Sequence, residues 1–136
     1  MELLHIDHFT LSVAPEALPA LLDFYTQVLP LNEGARPAFA FPGHWLYAEG
    51  RAIVHLAGTG QTGGAEAGSG PATGKLDHVS LRTRGLARTR QHLAAHGILW
   101  KEASVPGMAL HQLFLRDPAG LKIELTFDAA ELEDTL

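Results

Sequence analysis

Leu76-Asp77-His78-Val79-Ser80-Leu81-Arg82-Thr83 repeats, 70 positions later, Ile6-Asp7-His8-Phe9-Thr10-Leu11-Ser12-Val13. Both octets run apolar, Asp, His, apolar, hydroxyl, Leu, a polar residue and a β-branched residue. Read as strands, each splits into two faces: Phe9, Leu11 and Val13 against His8, Thr10 and Ser12, and Val79 and Leu81 against His78, Ser80 and Arg82. The apolar face suits packing on a helix; the polar face suits lining a wet cavity. Each copy closes on another patterned run, Ala52-Ile53-Val54-His55-Leu56-Ala57 and Leu121-Lys122-Ile123-Glu124-Leu125-Thr126, in which His55 and Glu124 lie 69 apart. One supersecondary unit is therefore written twice, with a metal-capable side chain near the start and the end of each copy.

Between these anchors the pattern predicts an amphipathic helix over about 16–29, from Leu18, Leu21, Leu22, Tyr25 and Leu29 at helical spacing, with Tyr25 a core residue. Phe39, Phe41, Trp45 and Tyr47 around Pro42-Gly43 predict a hairpin over 38–49. Glu49-Gly50-Arg51 predicts a tight turn into the strand at 52–57. Residues 58–74 hold seven glycines and no large apolar side chain, which marks a flexible linker. In the second copy, 86–96 predicts a shorter helix ended by Gly97. Ile98-Leu99-Trp100 predicts the start of a strand, 110–116 another, and Asp117-Pro118-Ala119-Gly120 a β-turn into 121–127. The expected fold is α+β: two tandem βαβββ modules whose sheets form an open, barrel-like metal-binding cavity. The expected organisation is one domain over 1–136, with module one at 1–57, the Gly-rich linker at 58–74, module two at 75–128 and a C-terminal tail at 129–136.

Composition narrows the partners. At 136 residues the chain is long enough to bury a core. It has no cysteine, so disulfides, thiolate metal sites and a Cys nucleophile are excluded, and a reducing, cytoplasmic compartment fits. Ten basic against fifteen acidic residues give a net charge of −5 with no basic run, which argues against nucleic acid or an anionic membrane as partner. No apolar run reaches spanning length. Eight histidines stand out, imidazole being the commonest metal ligand.

If the polar faces of the two copies meet, His8, His55, His78 and Glu124 converge as three imidazoles and one carboxylate. Such a set suits one divalent ion of Zn, Fe, Ni, Co or Mn. By alternation from Phe114, Gln112 faces the same cavity and His111 faces away. Gln112, Phe114, Trp45 and Tyr47 are the candidate substrate-binding residues.

The two Asp-His strand openers, Asp23-Phe24-Tyr25-Thr26-Gln27-Val28-Leu29, Asp117-Pro118-Ala119-Gly120 and Leu121-Lys122-Ile123-Glu124-Leu125 together resemble the vicinal oxygen chelate superfamily over nearly the whole chain. That group includes glyoxalase I, extradiol dioxygenases, fosfomycin-resistance transferases and bleomycin-binding proteins. The resemblance implies metal ligands at His8, His78 and Glu124. At His55 it implies either a fourth ligand, as in glyoxalase I, or a non-ligating acid–base His, as in extradiol dioxygenases. Ser12 and Thr59 stand where glyoxalase I holds glutathione with Arg and Asn, and Phe114 stands where fosfomycin and extradiol enzymes carry a Tyr. The activity this implies is a divalent-metal-dependent glyoxalase-like lyase or isomerase. Its small substrate would chelate through vicinal oxygens, with Glu124 and His55 as catalytic groups, in a homodimer. The alternatives are an Fe(II)- or Mn(II)-dependent extradiol dioxygenase and a non-catalytic small-molecule (antibiotic) binder.

Overall fold

The computed structural model describes residues 2, 4–60, 78–105 and 107–135. The chain divides into two compact units, Met1–Ala67 and Gly68–Leu136. Beyond Gly60, the linker expected at 58–74 lies outside the described residues, as does Asp77.

The first unit carries β1 (Phe9–Ser12), α1 (Leu18–Asp23), β2 (Asn32–Gly34), β3 (Gly43–Ala48) and β4 (Arg51–Ala57). Its sheet order is β1-β4-β3-β2, with β1 parallel to β4 and the other pairs antiparallel. The second unit repeats this plan with β5 (His78–Arg82), α2 (Leu86–Ala95), β6 (Lys101–Val105), β7 (Leu110–Arg116) and β8 (Lys122–Asp128), ordered β5-β8-β7-β6. The α+β fold of two βαβββ modules expected from the repeat is the observed one. Among the described residues, β1 and β2 are the end strands of the first sheet and β5 and β6 those of the second.

The core of each unit follows the alternation. In the first, Leu11, Leu46, Val54 and Leu56 are buried together with Leu18, Leu21, Phe24 and Tyr25; in the second, Leu113, Leu115, Ile123, Leu125 and Phe127 are buried with Leu86 and Leu93. The helix expected over 16–29 is three pieces: a 3-10 turn (Pro15–Ala17), α1, and a π turn (Phe24–Val28) closed by the Leu29 N–H on the Phe24 carbonyl. The π turn brings both Phe24 and Tyr25 into the core, their rings edge-to-face at 5.2 Å.

Two expectations are corrected. The partner of β3 is β2, and 35–42 form no strand. Pro37 and Pro42 have no N–H to donate to a ladder, and Arg36 Nη2 and the Phe39 N–H bond locally to the Phe41 and Pro37 carbonyls. The strand expected from Ile98 begins only at Lys101. The Gly97 N–H bonds Ala94 and the Ile98 N–H bonds Leu93, a Schellman closure of α2 with Gly97 at φ +67°. Groups engaged on the helix end are unavailable to a sheet.

The turns match their sequence signatures. Glu49 and Gly50, both at positive φ, join the Ala48–Arg51 pair as a two-residue hairpin. The buried Asp117 carboxylate accepts the Ala119 and Leu121 N–H groups, and the Gly120 N–H closes on the Asp117 carbonyl. The C-terminal 3-10 turn (Ala129–Thr135) places Glu131 Oε2 on the Gly85 and Leu86 N–H groups, capping α2.

Candidate functional site

In the second unit, β8 places Glu124 opposite Ser80 on β5 and Phe114 on β7, and Gln112 lies opposite Thr126. These residues share one face of the sheet. Glu124 Oε1 accepts hydrogen bonds from Gln112 Nε2 (2.7 Å), Thr126 Oγ1 (2.8 Å) and Ser80 Oγ (3.0 Å). Its other oxygen, Oε2, lies 3.2 Å from His78 Nε2. Burial pushes the carboxyl pKa up, but the three donors and the His78 charge outweigh it, and the pKa is held below the ordinary range. Glu124 is therefore an ionised, buried acceptor with one oxygen fixed by the protein and the other turned to an imidazole.

In the first unit, His55 occupies the equivalent place, opposite Thr10 on β1 and Trp45 on β3. Its ring is stacked on both sides, on His8 at 3.9 Å and 15° and on Trp45 at 3.9 Å and 9°. His8 Nδ1 is 2.8 Å from Asp7 Oδ2, which leaves Nε2 for a ligand and holds the Asp7 pKa below its usual value. His55 Nε2 donates to the Ala52 carbonyl at 3.1 Å, leaving the lone pair on Nδ1. Burial, then the neighbouring His8, pushes the His55 pKa down, so the ring is neutral at pH 7.

Among the described residues, no three His, Cys, Asp or Glu side chains are grouped to hold an ion. Each unit supplies a pair: His8 with His55, and His78 with Glu124. The chemistry of the second pair fits a divalent ion. Two donors bound at right angles with bonds of about 2.1 Å sit roughly 3 Å apart, which is the His78–Glu124 separation. The first pair fits in donor type but is less prepared. Rings lying face to face do not aim their in-plane lone pairs at one point, so a shared ion requires one ring to turn.

The remaining candidates fall in two groups. Gln112 touches Glu124 directly, and Phe114 and Trp45 flank Glu124 and His55 in strand register. Tyr47 instead gives its hydroxyl to the Ala35 carbonyl, and its ring lies so close to Gly34 that a Cβ there would meet it at 2.7 Å. Ser80 and Thr126, which are not among the residues expected from sequence, are also partners of Glu124. Their signal is register: both are hydroxyl residues on the polar face beside a carboxylate. His111 faces away as expected, buried between Ser104 Oγ (3.0 Å) and Glu102 Oε2 (2.7 Å). Glu102 also binds Arg90 and Trp100, and these partners, Arg90 first, hold its pKa down to about 2. This network ties α2 to β6 and β7, on the face opposite Gln112 and Glu124.

No family model matches the sequence, and no curated protein matches it. Solved structures do match. A glyoxylase/bleomycin resistance protein/dioxygenase domain from Frankia sp. EAN1pec superposes with TM-score 0.73 at 20% identity, covering 93% of this chain and 99% of that one. A glyoxalase family protein from Bacillus anthracis superposes with TM-score 0.72 at 17% identity, covering 94% and 98%. TnmS3, an antibiotic binding protein from Streptomyces sp. CB03234, superposes with TM-score 0.65 at 19% identity, covering 94% and 98%. The chain has the fold of the vicinal oxygen chelate superfamily. Among the described residues, no helix is long and apolar enough to cross a membrane.

Proposed function

We propose that the protein is a divalent-metal-dependent lyase or isomerase of glyoxalase type, with His8, His55, His78 and Glu124 holding one ion of Zn, Ni, Co, Fe or Mn. The reading treats the 136 residues as one domain to which both modules contribute. The observation that carries it is the His78–Glu124 pair at 3.2 Å, with Glu124 Oε1 anchored by three donors and Oε2 left toward the imidazole. A carboxylate immobilised on one oxygen only is prepared to use the other.

A bound divalent ion supplies Lewis acidity toward two vicinal oxygens of a small substrate. The chain's part is acid–base chemistry and positioning. Glu124 Oε2, ionised at neutral pH, would accept a proton from the substrate carbon when it is not holding the ion. Ser80, Thr126 and Gln112 keep the carboxylate from rotating as it does so. His55, neutral at pH 7, has its one lone pair on Nδ1 and would give it to the ion; only where it does not ligate would Nδ1 accept or return a second proton. Trp45 and Phe114, flanking these two groups, limit water and contact the substrate.

The test is metal content together with turnover. Protein as purified carries about one divalent ion per chain, and His78→Ala loses it, with affinity down by more than the roughly 10–100-fold typical of altering a group behind a ligand. Undiminished metal in His78→Ala overturns the assignment.

A second reading, an Fe(II) or Mn(II) extradiol dioxygenase, is favoured by one observation: His55 is clamped face to face between His8 and Trp45, a posture that suits an acid–base group better than a ligand. Oxygen uptake on a catechol separates the two. A third reading, a small-molecule binder, is supported by the fold shared with TnmS3; it predicts binding with no turnover on either substrate class. The reading also takes the protein as a cytoplasmic homodimer, since open sheet edges call for cover; a monomer mass by light scattering at micromolar concentration would count against the dimer.

A further inference from the structure

The hydrogen bonds around His111, on the sheet face turned away from Glu124, run in a line. Glu102 and Ser104 stand two residues apart on β6 and share a face, and the register sets His111 of β7 directly opposite Ser104. Ser104 Oγ lies 3.0 Å from His111 Nδ1, and His111 Nε2 lies 2.7 Å from Glu102 Oε2. A hydroxyl, an imidazole and a carboxylate linked in that order are the parts of an activated nucleophile. The base is within reach of the hydroxyl, and a third group holds the base.

The charges fix which way the protons point. Glu102 Oε1 accepts from Arg90 Nε (2.9 Å) and Trp100 Nε1 (2.8 Å), and Oε2 accepts from Arg90 Nη2 (2.7 Å). These donors, Arg90 foremost, keep the carboxyl ionised, with its pKa down at about 2. An ionised carboxylate has no proton to give, so His111 Nε2 carries the hydrogen between them. In the neutral ring the lone pair is then on Nδ1, and Ser104 donates to it.

Base and hydroxyl differ in their access to solvent. His111 is buried, whereas Ser104 is exposed, as are Lys101, Glu102 and Ala103 before it. Among the described residues β6 ends the sheet order, so a small molecule reaches Ser104 without displacing a strand. Ser12, the last residue of β1, is exposed too, but its hydroxyl meets Thr59 Oγ1 at 2.6 Å, a second hydroxyl rather than a base.

We propose that Ser104 is a nucleophile that takes the acyl group of a small activated ester, with His111 as its base and Glu102 as the positioning residue behind the base. Oγ attacks the carbonyl carbon as its proton passes to Nδ1. The bond from that carbon to the leaving oxygen then breaks, and the leaving oxygen takes the proton from Nδ1, which gives an acyl-serine and a free alcohol. An exposed strand offers little enclosed apolar surface to a long acyl chain, so the class is a short-chain ester with a good leaving group. The site lies apart from the proposed metal ligands and uses none of them.

The test treats the protein as purified with p-nitrophenyl acetate and follows acetylation of Ser104 and of Ser12 by peptide mass spectrometry. Ester hydrolysis elsewhere on the chain does not enter that readout. Ser104 is acetylated faster than Ser12 by about 10²-fold or more, the contribution expected of a positioned base. His111→Gln brings Ser104 down to the rate of Ser12 and leaves Ser12 as it was. Glu102→Gln lowers Ser104 as well, with a signature that mere packing does not share. Its amide oxygen stays with Trp100 and Arg90 Nε, its NH₂ faces His111, and the ring proton moves from Nε2 to Nδ1, read by nitrogen NMR of the imidazole. Equal acetylation of the two serines in wild type, undiminished Ser104 acetylation in a folded His111→Gln, or a wild-type neutral ring with its proton on Nδ1 overturns the proposal. Should His111→Gln fail to fold, the wild-type comparison and Glu102→Gln decide it.

Discussion

The two modules have the same strand plan and solve the same local problem differently. Glu124 and His55 occupy equivalent places: Ser80 and Phe114 flank the first as Thr10 and Trp45 flank the second. In the second module the next cross-strand pair is Gln112 with Thr126, and both donate to the carboxylate. In the first module that pair is Gly43 with Ala57, which offers no side-chain donor. A neutral imidazole needs none; it is gripped by stacking between His8 and Trp45 instead. The difference follows from charge. A buried carboxylate must have its lone pairs met by donors, whereas a half-buried neutral ring is held adequately by dispersion and one hydrogen bond. The pair in the second module is thereby the more prepared, and the pair in the first the more adjustable.

The largest expected effect on stability comes from trying to make the modules alike. A side chain at Gly43 would run its Cβ into the Leu56 carbonyl oxygen of the neighbouring strand. Gly43→Ala should destabilise the protein by about 1–3 kcal/mol, the usual cost of overpacking, seen as a lower denaturant midpoint with unchanged slope. An unchanged midpoint would mean that the glycine is incidental and that the first module could have carried a donor there.

An effect on the metal and on turnover, not on the fold, sharpens the comparison at His55. If the imidazole ligates, His55→Ala lowers metal affinity about tenfold or more, measured as metal retained after dialysis against a mild chelator. Full retention together with oxygen uptake by wild type on a catechol would move His55 to the acid–base role, where its loss lowers turnover by about 10²–10⁴, and would favour the dioxygenase.

The smallest effect concerns the donors to Glu124. Gln112→Ala removes one of three hydrogen bonds to Oε1, costing about 1 kcal/mol of stability. The sign of the pH effect follows from the depressed pKa. A donor to the ionised carboxylate holds its pKa down, so removing it lets the pKa rise. The acid limb of the pH–rate profile therefore moves to higher pH, and stability that the ionised carboxylate contributes is lost at a higher pH on acidification. An acid limb that stays in place would show that Gln112 binds something other than Glu124 during turnover.

The duplication was legible in the chain because its spacing survives: offsets of 70 and 69 carry over into strand register, so fold class, sheet membership and the polar face of each sheet could be read from alternation. Turns with a local mechanism, Glu49-Gly50 and Asp117-Pro118-Ala119-Gly120, were legible for the same reason, since their geometry depends on a few adjacent residues. The boundaries of β2 and β6 were not. They depend on backbone groups already engaged elsewhere, on the end of α2 and within 35–42, and these pairings leave no mark in hydropathy.

The same division runs through the site. Composition and repeat position determined which residues have donor atoms and which face of a strand they share. Tertiary structure alone decided what holds them: three donors on one oxygen of Glu124, and two rings against His55. Alternation is a property of one strand and is written in its own sequence. Contacts across strands depend on which residues are brought opposite, and a one-residue change of register would turn every one of them to the other face.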